Sequence, residues 1–296
     1  MKNQRGDSET RGHGDEPSPR VSVSQRPRVS TITLLTDFGT ADYFVASVKG
    51  VILTANPQAR IVDITHEIPP QDIEAGAFTL FAACSSFPAG TIHVAVVDPG
   101  VGSSRRAILV KTCEGYFVGP DNGIFSYVCE RSEAQGDALE LFHLDNDKYF
   151  RRPVSATFHG RDVFAPVAAA LSLSLKPEAL GASISEIVRL ASLRTTTSRA
   201  GSLLARVIHI DRFGNCVTNI TPSDLTPAMI GAGATLALKG KTVKSFREYF
   251  GETASGRDKV FVIWGSAGFL EIAVSNDSAA RILKVHRGDK VTVTLK

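Results

Sequence analysis

Four short polar clusters in this chain carry the residue types that reaction chemistry uses. In the first, an apolar run over residues 92–97 ends abruptly in Asp98, and a Pro/Gly turn leads to Arg105 and Arg106. The turn lets a guanidinium come back to face the carboxylate. Bringing the two together away from water costs desolvation, so such a pair serves either chemistry and charge recognition or a structural ion pair. Residues 96–106 alone leave both open. The second cluster, residues 36–42, holds Asp37 and Asp42. Asp42 suits a helix N-cap. Asp37, at a strand's carboxyl tip, has no such duty and suits a ribose diol that donates two hydrogen bonds to it. The third, residues 157–162, presents Phe158 and His159 before an Ala-rich segment. A lone loop histidine is commonly structural, but Gly160 beside it and the acid–arginine loop of the same domain favour a site. The fourth, residues 211–215, reads either as a Gly-Asn hairpin turn or as a binding loop carrying Asp211 and Asn215.

The elements that must position these groups follow from periodicity. Residues 31–35, 60–64 and 92–97 are short β-rich runs, and they alternate with helix-period segments at 42–53 and 72–87. Asn56-Pro57 ends the first helix because proline cannot continue the ladder. This alternation predicts a parallel sheet covered on both faces. Ligands of such sheets bind beyond the strands' carboxyl ends, where Asp37 and Asp98 fall. Strands follow at 107–111, 116–118 and 139–144, with a short helix from 124 to 130 and a longer one over 161–175. From residue 203 the texture becomes short β-branched runs separated by Gly, Asp and Pro, the pattern of a small barrel or sandwich. A Gly-rich strand approach at 264–273 carries Ser266 and Glu271. The expected architecture is an α/β domain with a mostly parallel sheet (29–190), a linker (191–202) and a smaller all-β, barrel-like domain (203–296).

Composition narrows the classes. With 33 Lys/Arg against 30 Asp/Glu, the net charge of +3 comes with no basic stripe, so nucleic acid is not an expected partner. No run of about 18 apolar residues exists to span a membrane. Residues 1–28 hold almost no large apolar side chains and are expected to form a disordered tail, with no secretory signal. The cysteines, Cys84, Cys113, Cys129 and Cys216, show no metal-ligand spacing and suit reduced thiols of a cytoplasmic protein. No metal or cofactor is expected.

Taken in order, residues 36–42, 96–106, 120–123, 159–166, 211–219 and 265–273 resemble the S-adenosyl-L-methionine hydroxide adenosyltransferases, relatives of the fluorinase and chlorinase that open the same molecule at C5′. The resemblance runs from about residue 32 to residue 296. It implies hydrolysis of S-adenosyl-L-methionine, as substrate rather than cofactor, to adenosine and L-methionine. It also implies a homotrimer whose sites lie between the α/β domain of one subunit and the β domain of the next.

By the same resemblance the catalytic trio is Asp98, Arg105 and His159, with Arg105 rather than Arg106 at the family's spacing from the aspartate. Asp37 would hold the ribose hydroxyls, Asp42 and Asp211 the methionine ammonium group, and Ser266 the carboxylate. Asn215 would meet the adenine edge and either Tyr249 or Phe250 would stack on it. Phe158, Glu271 and Asn276 complete the expected substrate contacts. Methionine leaves a sulfonium as a neutral thioether, so the leaving group needs no acid. Water does need a base, and either Asp98 or His159 can serve, with Arg105 fixing and polarising the water. Two other readings stand beside this one: a halogenase-type substitution, and a binding protein without catalysis.

Overall fold

The first sheet is ordered by parallel pairing of β1 (Thr31–Thr36) with both β2 (Arg60–Thr65) and β3 (Thr91–Val96). The protein is described here by a computed structural model covering residues 30–251 and 259–295, so the tail expected at 1–28 lies outside the described residues. β3 also pairs in parallel with β5 (Gly115–Pro120), and β4 (Ala107–Lys111) runs antiparallel to both β5 and β6 (Glu140–His143). The order is β2-β1-β3-β5-β4-β6, with β4 alone reversed, a mostly parallel sheet as expected.

Every residue of β3 is buried, which both-sided cover requires. The two faces separate by alternation along the strands. Leu34, Val94 and Val96 join the core beneath α1 (Phe44–Ala55) and α4 (Ala165–Ser172). Leu35, Ala95 and Val97 join the core beneath α2 (Ile73–Cys84) and α3 (Ser126–Gln135). Asn56 ends α1 and donates its side-chain N–H to Ser172 Oγ at 2.9 Å, tying α1 to α4.

Two local expectations change. Asp42 is exposed and does not cap α1; the helix begins after Tyr43, with no side-chain cap. The helix expected over 161–175 starts as a π-turn, Gly160–Phe164, before α4 proper. The cause is Pro166, which has no N–H for the carbonyl of Asp162; the Arg151 N–H takes that carbonyl instead at 2.8 Å.

The C-terminal part is one curled nine-stranded sheet. Its centre is β8 (Leu203–Ile210), flanked by β9 (Cys216–Thr218) and β15 (Lys290–Thr294), with β14 (Leu270–Val274) and β13 (Val260–Trp264) beyond β9. β10 (Thr235–Leu238) and β11 (Lys241–Val243) end one edge, and β12 (Phe246–Arg247) ends the other. Only residues 244 and 245 separate β11 from β12, so the chain itself links the two edges into a barrel-like shape. Within the expected linker, β7 (Thr196–Thr197) pairs with β8. Two helical turns, α5 (Pro227–Gly231) and α6 (Ala279–Leu283), were not legible as helices, being too short for periodicity to register.

The two sheets meet through Phe78 and Tyr127 packed with Ile208, Val217 and Phe269, and through His209 stacked on Phe78 at 4.9 Å. Within the first sheet His93 is a buried imidazole on β3, bonded to Thr33 Oγ1 at 2.8 Å and stacked on Phe117 at 4.9 Å. Burial, followed by the charge of Arg131, lowers its pKa from 6.5 to about 4. The unfolded chain therefore takes up a proton near pH 6.5 that the folded chain refuses until about pH 4. Stability is accordingly lost as pH falls through that window, by up to about 3 kcal/mol from this group. Thermal melts at pH 7 and pH 4.5 should show a smaller acid loss in His93→Gln than in the parent; an equal loss would assign the acid sensitivity elsewhere.

Candidate active site

A cleft of about 440 Å³ opens beyond the carboxyl ends of β1 and β3. Its apolar lining includes Phe38, Phe44, Val96 and Phe158; its polar lining includes Asp37, Gln71, Asp98 and His159. The three phenyl rings contact one another with centroids 5.3–6.0 Å apart.

Asp98 follows β3 after Val97, and the loop beyond it returns Arg105 to its carboxylate. Arg105 Nη2 lies 2.5 Å from Asp98 Oδ2, and Nε lies 3.0 Å from Oδ1. The side chains are 10% and 5% exposed, so this is a buried pair. Arg105 Nη2 also contacts His159 Nδ1 at 2.7 Å, and its guanidinium sits over the Phe164 ring at 5.5 Å. An arginine only donates, so Nδ1 must accept and the imidazole proton belongs on Nε2. Burial first, then Arg105, lowers the His159 pKa below its ordinary 6.5, against the opposing charges of Asp98 and Asp162. His159 is therefore neutral near pH 7. Asp98 and His159 line the cleft, whereas Arg105 is not part of its lining and holds both from behind.

Two devices bring the loops together. Gly102, at φ 78°, is packed so closely that a Cβ would fall 2.1 Å from the carbonyl oxygen of Ala156, so only glycine lets the Asp98–Arg105 loop touch the loop of His159. Asp162, fully buried, accepts from Arg161 at 2.7 and 2.8 Å, from Arg151 at 3.0 Å and from the Ser155 N–H at 2.9 Å. Those bonds fix both ends of the segment that carries Phe158 and His159. Arg106 is turned away, to Asp121 Oδ2 at 2.8 Å and the carbonyl of Glu186 at 3.0 Å.

Asp37 accepts the backbone N–H of Gln71 at 2.8 Å. Just before it, the Thr36 hydroxyl contacts His66 Nδ1 at 2.8 Å and accepts the Phe38 N–H at 3.2 Å. Asp42 is exposed beyond this loop and is not part of the cleft's lining.

The other expected contacts lie on the β domain, and none of them lines this cleft. Asp211 organises a tight turn, accepting from the N–H groups of Phe213 and Asn215 at 2.9 and 2.8 Å and from Asn215 Nδ2 at 2.9 Å. Gly214 closes that turn at φ 84°, where a Cβ would fall 2.0 Å from Ser278 Oγ. Glu271 lies on β14 beside β9, and burial, then the charge of Asp211, raises its pKa. Ser266 and Asn276 are exposed. Tyr249 and Phe250 are exposed too, at 61% and 52%, and Phe213 of the Asp211 turn more so, at 78%. Gln71, Phe38 and Phe44 were not singled out from sequence; the Pro-Pro-Gln-Asp run before α2 was the one signal for Gln71. Among the described residues no group of three or more His, Cys, Asp and Glu is placed to hold a metal ion.

Comparison with known proteins identifies the family. Residues 32–181 match the family model of the SAM hydroxide adenosyltransferase N-terminal domain, and residues 205–292 match that of its C-terminal domain. An (R)-S-adenosyl-L-methionine hydrolase of Methanocaldococcus jannaschii is 38% identical over 276 residues, spanning 88% of this chain and 95% of that protein. A fluorinase of an Actinoplanes species is more distant, 29% identical over 293 residues, spanning 89% and 97%. The crystal structure of an uncharacterised conserved protein from Thermotoga maritima superposes with a TM-score of 0.80 at 35% identity, covering 88% of this chain and 99% of that one. The chain belongs to the SAM hydroxide adenosyltransferase family.

Proposed function

We propose that the protein hydrolyses S-adenosyl-L-methionine to adenosine and L-methionine by in-line attack of water at C5′. The observation that carries this reading is the sharing of Arg105 between Asp98 and His159 at the edge of an aromatic-lined cleft. Family membership supplies the substrate class. The phenyl faces suit a sulfonium, since aromatic rings attract onium cations. The water oxygen forms its bond to C5′ as the C5′–S pair returns to sulfur, giving a neutral thioether. With Nδ1 of His159 accepting from Arg105 and Nε2 carrying its proton, Asp98 is the member left to accept the water's proton, which then passes to solvent. His159 Nε2–H orients the attacking oxygen. Holding that oxygen about 3–3.5 Å from C5′ supplies much of the acceleration. A halide in the same place would face the Asp98 carboxylate, which disfavours halogenation.

In this reading Asp37 binds the ribose hydroxyls and Phe158 the substrate's apolar flank. The β-domain group (Asp211, Asn215, Ser266, Glu271 and Asn276, with Tyr249 or Phe250) and the exposed Asp42 bind the adenine and methionine ends across a subunit boundary. Support for that assembly comes from the absence of these residues from the lining of the cleft of their own chain and from their exposed aromatics, which suit a second copy. A head-to-tail contact between α/β and β domains closes as a ring, here a homotrimer. Four unpaired cysteines fit a cytoplasmic setting; among the described residues no helix is long and apolar enough to cross a membrane.

Chromatography of the products from S-adenosyl-L-methionine should give adenosine and methionine; methylthioadenosine or S-adenosylhomocysteine would overturn the reading. Arg105→Lys keeps the charge but loses the planar fork and should lower kcat about 100-fold or more, while Arg106→Lys should stay within about threefold. Equal losses would deny Arg105 its special place. Mixing inactive Asp98→Ala and Asp211→Ala chains under subunit exchange should restore activity, and no recovery despite proven exchange would confine the site to one chain.

A further inference from the structure

Gln71 stands in the left-handed backbone region, at φ 65°, while lining the cleft. A residue with a Cβ is strained there, and such strain persists where the surroundings over-determine it. The surroundings here are specific. Asp72 donates its N–H to the Pro69 carbonyl at 3.0 Å, and the Ile73 N–H reaches back to the Gln71 carbonyl at 3.1 Å. Asp72 then divides its carboxylate: Oδ1 caps α2 by accepting the Ala75 N–H at 3.0 Å, and Oδ2 accepts Arg287 Nη1 at 2.6 Å. Arg287 comes from the β domain, in the turn between α6 and β15, and also lies 3.5 Å from Glu74. The one product of this arrangement inside the cleft is the Gln71 N–H, which donates to Asp37 Oδ2.

We propose that Gln71 is a positioning residue: its strained backbone locks the carboxylate of Asp37 for substrate, and the Arg287–Asp72 ion pair across the two domains of one chain holds Gln71 in that strain. The proposal rests on the reading of Asp37 as a substrate-binding carboxylate. A carboxylate with one oxygen fixed by a charge-assisted bond presents its remaining lone pairs in a set direction and loses less freedom when substrate arrives. Such a lock acts on binding rather than on the bond-breaking step, so it is read in KM. It also makes the fit of the β domain to its own α/β domain a determinant of substrate affinity, independently of any contact between subunits. No other group reaches Asp37 Oδ2 in the described residues' hydrogen bonds, so the lock has no substitute.

The test is a steady-state series on the full-length protein with S-adenosyl-L-methionine. Gln71→Val, a β-branched residue ill-suited to positive φ, should raise KM about tenfold with kcat within about twofold, the loss expected for one bond to a charged group. Gln71→Gly keeps the N–H without strain, and its KM should lie well below that of the valine variant. Arg287→Met should raise KM about threefold and Arg287→Lys should restore it, which a merely structural role would not produce. Combined with Asp37→Ala, Gln71→Val should add less than about a twofold effect, because the two act as one unit. Unchanged KM in both Gln71→Val and Arg287→Met, or a full additional effect of Gln71→Val in the Asp37→Ala background, would overturn the lock. Asp37→Ala by itself separates the two levels: if its KM is unchanged, the substrate-binding reading of Asp37 fails and the lock with it.

Discussion

The Arg105 guanidinium is the one group on which the rest of the site depends. It is shared between Asp98 and His159, and that sharing sets which ring nitrogen of His159 carries the proton. Burying a carboxylate is tolerable only with a partner; removing one member of such a pair typically costs about 3–5 kcal/mol. Nη2 spends its hydrogens on Asp98 and on Nδ1 of His159, so the imidazole is held neutral with one tautomer, and in the proposed reaction the carboxylate is the member left to accept a proton. A lysine cannot reproduce this, having a point charge instead of a planar fork.

The fold exists, in functional terms, to bring that guanidinium back to the strand that carries Asp98. Parallel pairing places the ends of β1 and β3 side by side, so Asp37 and Asp98 open onto one cleft. Gly102 permits contact between the loops of Asp98 and His159, and Asp162 anchors the second. The π-turn at Gly160–Phe164, imposed by Pro166, sets where His159 leaves the helix. Each is a local departure from regular structure, and all lie beside the site, where such departures concentrate.

Much of this was legible in the sequence because β1 and β3 at the centre of the first sheet are buried and short, and their apolar runs stop at polar residues with a clear positional meaning. That an arginine would return to Asp98 was foreseeable from the Pro/Gly turn, and the family resemblance pointed to Arg105 rather than Arg106. Other features were not. The reversal of β4, the two-residue strands β7 and β12 and the turn-length helices α5 and α6 leave too few residues for a period to register. Asp42 followed a capping pattern, yet the helix starts past Tyr43. Gln71 was marked only by the Pro-Pro-Gln-Asp run before α2, because glutamine is an uncommon choice at positive φ, where Gly or Asn would be expected. Arg105's place behind the cleft, rather than in it, depends on three-dimensional packing against Phe164 that no spacing reveals.

The most direct measurement on the central claim is turnover in oxygen-18 water followed by mass spectrometry of the nucleoside. If Asp98 and His159 direct a water onto C5′, the adenosine formed carries one heavy oxygen at its 5′ position and the methionine carries none. Unlabelled adenosine, label in the methionine, or a 5′-halogenated nucleoside formed in preference when halide is present would contradict it.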